Sequence, residues 1–241
     1  MRRLIFVAIA ALALPAAVSG GNSITVFAAA SLTDAFPRID KAPRYSFAGS
    51  DQLALQIRQG APADVFAAAS PKHTQLLYRD GFVLRPVAFA TNKLIVLVPR
   101  SNPAGIKSVY DLRRAGVKVV IGDGTVPIGT YTRQILDSLG ITADVTKNVV
   151  SEETDVKGIV AKVALGEADA GFVYRTDAKS VSSRTRMIAL PSWAQPAIRY
   201  ELAVVTASSH RAAAKAFIKK VVSKRGRLVL ARAGFGLPKK P

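Results

Sequence analysis

Short apolar runs alternate along the chain with stretches whose apolar residues recur every three or four positions, and few architectures accommodate that alternation. Runs rich in β-branched and aromatic residues read as strands, and the i, i+3, i+4 spacing reads as amphipathic helix. Strands that hand over repeatedly to helices build α/β layers. Ile24-Thr25-Val26-Phe27 passes through Ala30-Ser31 into Leu32, Ala35, Phe36 and Ile39 at helical spacing. Tyr45-Ser46-Phe47 passes through Ala48-Gly49-Ser50 into a helix bearing Leu53 and Ile57, which Gly60-Ala61-Pro62 ends. A strand over 64–68 precedes a helix over 72–79, and residues 94–98, apolar at every position, predict a parallel strand covered on both faces. Further strands are expected over 117–121, 170–174, 187–190 and 201–206, with helices over 130–139, 154–165, 211–222 and 224–233.

Met1-Arg2-Arg3, the apolar run 4–14, Pro15 and the small residues up to Ser19 have the three-part layout of a secretory signal peptide. A membrane span needs roughly 20 apolar residues, more than this run supplies before Pro15. Cleavage after Ser19 is expected to release a soluble chain beginning at Gly20, located outside the cytoplasmic membrane. With no cysteine, the chain forms no disulfide or thiolate metal site and offers no thiol for a lipid anchor. No floppy linker interrupts it, so two chain crossings are expected: lobe 1 over 20–89, lobe 2 over 90–198, and a return to lobe 1 over 199–241.

The net charge of +18, from 34 basic and 16 acidic residues, raises nucleic acid as a partner. The basic clusters near 215–232 and 239–240 carry no interleaved aromatic platform, and export removes most nucleic acid, so none is expected. The charge reads as a solvated face that speeds an anion's arrival or holds the protein near an anionic membrane.

A search for catalytic machinery finds none. His73 and His210 read as surface histidines without a neighbour at ligand or triad spacing. No phosphate loop, dinucleotide fingerprint or nucleophile elbow is present. Glu152 and Glu153 read as acids favouring the start of the 154–165 helix. A secreted hydrolase is therefore disfavoured, with no catalytic residue, resident metal or cofactor expected.

Hydroxyl and small residues do gather where strands become helices. Ser31 and Ser50 sit at such handovers, where free backbone N–H groups and the positive end of the helix dipole favour an anion; both also suit ordinary N-caps. Ile128, after Pro127, and Val156, in the first turn of its helix, offer early helical amides. Tyr174 ends a strand, with its hydroxyl either in a cleft or at a core rim.

In order, Ile24-Thr25-Val26-Phe27-Ala28-Ala29-Ala30-Ser31-Leu32-Thr33, Gly60-Ala61-Pro62-Ala63-Asp64-Val65-Phe66, Val126-Pro127-Ile128-Gly129 and Gly171-Phe172-Val173-Tyr174 resemble the periplasmic molybdate-binding proteins of bacterial ABC importers. The resemblance implies an α/β type II periplasmic binding protein fold: two Rossmann-like lobes, a two-stranded hinge and an interlobe ligand cleft. It implies capture of molybdate or tungstate without a basic side chain, through hydroxyl and backbone N–H of Ser31 and Ser50, backbone N–H of Ile128 and Val156, and the hydroxyl of Tyr174. A transmembrane permease would be the partner and the protein a monomer; a carrier of sulfate, phosphate or another tetrahedral oxyanion is the neighbouring reading. Phosphate that keeps a proton needs an acceptor, which amides lack but a serine hydroxyl can supply. The chain departs from the pattern in a short stretch between Ser31 and Ser50, a bulkier residue at Ile128, and Asp51 beside Ser50. Asp51 is expected to turn outward or cap its helix, since a carboxylate facing the cleft would repel an anion.

Overall fold

The computed structural model describes residues 23–238, so the signal-peptide reading over 1–19 lies outside the described residues. In chain order the elements are β1 (Thr25–Ala29), α1 (Phe36–Ile39), β2 (Arg44–Ala48), α2 (Ser50–Arg58), β3 (Val65–Ala68), α3 (Pro71–Arg79) and β4 (Val87–Asn92). Then come β5 (Leu94–Pro99), β6 (Val119–Gly122), α4 (Pro127–Ser138), α5 (Thr142–Thr146), β7 (Val149–Glu153), α6 (Val156–Leu165), β8 (Ala170–Tyr174), α7 (Arg175–Ser180) and β9 (Thr185–Ala189). The chain closes with β10 (Ile198–Val204), α8 (Arg211–Val222) and α9 (Lys224–Ala233).

Two five-stranded sheets result, ordered β2-β1-β3-β10-β4 and β7-β6-β8-β5-β9. In the first, β1 runs parallel to β2 and β3 while β10 runs antiparallel to β3 and β4; in the second, β6 runs parallel to β7 and β8 while β5 runs antiparallel to β8 and β9. With their helices they form the two α/β lobes that the alternation of strands and helices predicts. β5 is buried along its whole length but is antiparallel to both neighbours, which corrects the expectation of a parallel strand. Cover on both faces is set by the helix layers, and here it says nothing about strand direction.

The lobes share a hinge of two paired strands. Lys93 alone separates β4 in one sheet from β5 in the other, and beside it the returning chain pairs Ile198 with Asn92 and Arg199 with Thr91. After α8 and α9, the chain comes back to this hinge, where Gly236 exchanges backbone hydrogen bonds with Thr91 in both directions.

Three local expectations change. The helix expected from Leu32 becomes a 3₁₀ turn over Ala30–Leu32 followed by the short α1, with Pro37 in the first turn, where its missing N–H is harmless. Glu152 and Glu153 belong to β7 and do not start the next helix: Glu152 pairs with Arg133 at 3.0 Å and Glu153 with Lys162 at 2.7 Å. The cap of α6 is Asp155, whose carboxylate accepts from Lys157 N–H and Gly158 N–H.

Aromatic rings fill the first lobe around fully buried Phe36, whose ring centre lies 5.7 Å from that of Phe89 and 5.6 Å from that of Phe217. These contacts tie α1 and α8 to the sheet. Phe36→Ala leaves a cavity between elements far apart in sequence and is expected to cost about 3–5 kcal/mol of stability, read as a lower midpoint in urea unfolding.

Candidate functional site

The parallel strands β1, β2, β3, β6 and β8 end on the side where the lobes face each other, and several hand over there to a turn or helix. This is where ligands gather in open α/β sheets, because helix starts present N–H groups with no carbonyl one turn earlier. Ser31 lies in the turn after β1, and Ser50 is the first residue of α2 after β2. Ile128 is the second residue of α4, Val156 the first of α6, and Tyr174 the last of β8.

All five residues line one cavity between the lobes, with about 20 Å³ of room for the centre of a water-sized sphere. That is space for one or two waters or a single small ion. Its other walls are small or apolar, among them Ala30, Ala48, Ala69 and Val126, with no lysine or arginine. Asp155 is the one acidic lining residue, and its carboxylate is turned onto the start of α6.

The polar groups facing this space have unspent hydrogens. Tyr174 Oη is fully buried without a hydrogen-bond partner among the described residues, and burial, with Tyr200 and Tyr131 nearby, pushes its pKa well above the usual phenol range. The phenol is therefore a proton-bearing donor at any physiological pH. Ser50 Oγ accepts from Ala69 N–H at 3.1 Å, and Ser31 Oγ lies 2.9 Å from Tyr200 Oη. Asp155 takes the second and third amides of α6, leaving Val156 N–H uncapped, and no side chain caps α4. An orphaned buried donor costs about 1–3 kcal/mol, so this convergence is unfavourable unless an acceptor enters.

The lobes meet closely around the cavity. Lys157 Nζ on α6 lies 3.0 Å from Asp34 Oδ2 of the opposite lobe and 3.1 Å from buried Asp177 Oδ1, the latter outside hydrogen-bond geometry. Burial works against the Lys157 charge, but Asp177 and Asp34 together raise its pKa. The Thr125 hydroxyl lies 3.0 Å from Asp51 Oδ2 across the gap, with its single hydrogen shared with the nearer Asp123 Oδ1 of its own lobe at 2.6 Å. Asp51 does not line the cavity, and it does not cap α2: its Oδ1 is buried without a hydrogen-bond partner among the described residues, and its Oδ2 lies beside Thr125 of the facing lobe. Closest of all is Gly49, where a Cβ would stand 2.6 Å from the Thr154 carbonyl oxygen of lobe 2. Its sequence signal was only that of a small residue at a strand–helix handover.

Other candidates are placed elsewhere. His73, expected on the surface, is buried on α3, where burial pushes its pKa down. His210 lies 3.2 Å from Asp64 in a groove of about 750 Å³ at the other end of the first sheet. The Asp64 carboxylate there is already satisfied by Thr25 N–H and the Ser208 hydroxyl. Among the described residues no group of three or more His, Asp or Glu side chains is placed to hold a metal ion.

Comparison with known proteins places this geometry in context. A family model described as bacterial extracellular solute-binding protein matches residues 24–236. The chain is 39% identical over 229 residues to the molybdate-binding protein ModA of Mycobacterium tuberculosis, covering 91% of this chain and 86% of the relative. It is 31% identical to the molybdate-binding protein ModA of Haemophilus influenzae over 231 residues, 88% of this chain and 89% of the relative. Among solved structures, the periplasmic molybdate-binding protein of Azotobacter vinelandii superposes with a TM-score of 0.78 at 22% identity, covering 90% of this chain and all of that one, a likeness of fold.

Two outcomes follow from the closed geometry. Gly49 has φ −57° and ψ 138°, which alanine also adopts, so Gly49→Ala changes only the space available. The variant is expected to melt near the wild-type temperature but to hold its lobes farther apart, giving a larger radius of gyration in small-angle X-ray scattering; unchanged scattering would show that Gly49 does not limit closure. Burial pushes Asp177 up to about 6 despite the pull of Lys157, so its ionised form is disfavoured in the fold. An unfolded aspartate titrates near about 3.9, so this group's contribution to stability falls as pH rises from about 4 to about 6 and is constant above. Asp177→Asn is expected to be more stable than wild type at pH 7 and to lose that advantage at pH 4, measured by urea unfolding at both values.

Proposed function

The chain belongs to the bacterial extracellular solute-binding protein family, and from that premise we propose that it captures molybdate or tungstate outside the cytoplasmic membrane and delivers the ion to the permease of an ABC importer. One observation carries the ligand class: the Tyr174 hydroxyl, buried and unpartnered, faces a one-ion cavity beside four other groups with hydrogens to give. A desolvated dianion is costly to bury unless its oxygens are fully hydrogen-bonded. Ser31, Ser50 and Tyr174 hydroxyls with Ile128 and Val156 amides supply neutral donors from both lobes, and the starts of α2, α4 and α6 add their dipoles. The names of the relatives support molybdate, as does a pocket without fixed cations that relies on size and donor placement.

The mechanism is closure around the ion. Lobe 1 offers the serines and lobe 2 the amides and Tyr174, so only the closed state satisfies all of them together. An ion bound by both lobes draws the population toward closure. Lys157 meets Asp34 across the same gap, so closing also completes an ion pair. The closed shape is what a permease would read. In this reading the protein is not an enzyme, works as a monomer, binds no nucleic acid and holds no resident cofactor, and lobe 1 comprises 20–89 with 199–241 around lobe 2.

Isothermal titration calorimetry of the ligand-stripped protein with molybdate, tungstate, sulfate and phosphate at one ionic strength tests the proposal. Tight one-to-one binding of molybdate or tungstate with a weak sulfate response is expected. Tyr174→Phe should weaken molybdate binding roughly tenfold or more, the effect of one lost hydrogen bond to a charged acceptor, without lowering thermal stability. Preference for sulfate would overturn the ligand.

A further inference from the structure

The positive charge of the chain is not spread evenly over its surface. From Leu202 to Pro238 there are eight lysines and arginines and no aspartate or glutamate, and all eight lie on α8 and α9. α8 turns Ala214, Phe217 and Val221 inward, so Arg211, Lys215 and Lys219, spaced four apart, stand together on its exposed side. α9 follows after Ser223 and packs against α8, burying Gly226 and Leu230. Its outer face carries Lys224, Arg225 and Arg232, three or four positions to either side of Leu228, whose side chain is 50% exposed. Of the eight cations only Lys220 meets a carboxylate among the described residues, that of Asp40. Elsewhere bases and acids are matched, as Arg133 with Glu152, Lys162 with Glu153 and Lys157 with Asp34. Unneutralised charge therefore gathers on one side of lobe 1, and no residue of that side lines the cavity.

We infer that the outer face of α9, flanked by the cations of α8, is a docking surface for an anionic lipid bilayer. Lys224, Arg225 and Arg232 pair with headgroup phosphates while Leu228 enters between the headgroups. Leu228 decides the class of partner. An exposed leucine in a ring of cations suits a surface whose phosphates lie just outside an apolar layer, which is the structure of a bilayer. Nucleic acid also offers phosphates, but its accessible apolar faces are bases, which aromatic side chains stack on, and α8 and α9 expose none: their one aromatic residue, Phe217, is buried. Each cation at an anionic surface strengthens attachment about fivefold, so three on one helix face are enough to matter. Attachment on this side leaves the cleft free to open and close. It holds the protein beside the membrane in which a permease stands, whichever ion the cleft takes, so the inference does not rest on the identity of that ion.

Cosedimentation with vesicles tests this, using equal parts of phosphatidylglycerol and phosphatidylcholine against phosphatidylcholine alone, at low and at physiological ionic strength. Wild type and variants carry the same N-terminus, so whatever the apolar run 4–14 contributes cancels in the ratios. Wild type is expected to bind the anionic vesicles at least about tenfold more tightly than the neutral ones, and less tightly as salt rises. Lys224→Gln/Arg225→Gln/Arg232→Gln should weaken that binding by about a hundredfold. Lys107→Gln/Lys118→Gln/Arg186→Gln removes the same charge from exposed positions of lobe 2 and should change it by no more than about threefold. Leu228→Ser should weaken binding about tenfold at both ionic strengths, because apolar contact is not screened. Thermal melts of all variants should match wild type, since each substituted side chain is exposed. Equal binding to the two kinds of vesicle overturns the inference, and so does an equal loss in the two triple variants, which would make the attraction one of net charge and not of this face. Leu228→Ser binding as wild type does, or a DNA duplex binding more tightly than the anionic vesicles at the same salt, overturns the bilayer as partner. The lipid comparison in wild type and the Leu228→Ser result decide the matter even if a triple variant does not fold.

Discussion

Everything at the cleft depends on one property of the α-helix: its first turn has amide hydrogens that no carbonyl in the same helix can take. Because β2, β6 and β7 run the same way within their sheets as the strands they pair with in parallel, the chain delivers the starts of α2, α4 and α6 to one region between the lobes. Away from the cavity Ser70 caps α3 and Ser223 caps α9, while α1, α5, α7 and α8 begin without a side-chain cap. At the cavity the helix starts of α2 and α4 carry no side-chain cap, and the cap of α6 leaves Val156 free. The site is thus made where helix starts with unclaimed amide hydrogens converge on one space.

Such a convergence works only if the donors stay fixed, and packing supplies that. Gly129 allows α4 to begin against the turn after β6, since a Cβ there would overlap the Asp123 and Gly122 carbonyl oxygens. Tyr200, fully buried between Phe89, Tyr174 and Phe235 in edge-on contacts, carries the hydrogen bonds that reach Ser31. Asn92 sits in the hinge itself, bonded to β10 residue Tyr200 on one side and to Thr176 of α7 on the other. The same few residues therefore join the lobes, hydrogen-bond a site serine and fill the core beneath it.

Much of this was legible in the residues. Hydrophobic spacing located most strands and helices, and the small residues around Ser31 and Ser50 marked where backbone comes close to a ligand. Less legible were features with no local signature. β7 was missed because its mixed Val-Val-Ser-Glu-Glu run resembles a helix-start cluster until β6 pairs with it. β5 looked parallel because all-round burial is visible in composition while strand direction is not. His73 looked exposed because one histidine among polar neighbours gives no sign that α3 turns it inward.

The sequence by itself determined the α/β alternation, the absence of thiol chemistry and the identity of the residues at the strand–helix handovers, because those follow from local spacing and residue type. Only the tertiary structure decided that Ser31, Ser50, Ile128, Val156 and Tyr174 share one cavity, that Asp51 lies beside Thr125 of the facing lobe, and that Tyr200 and Asn92 stand behind Ser31. These are contacts between positions as much as 169 residues apart in the chain. Such contacts are fixed by how two sheets fold across a shared hinge, and no local pattern encodes which distant side chain will complete a given hydrogen bond.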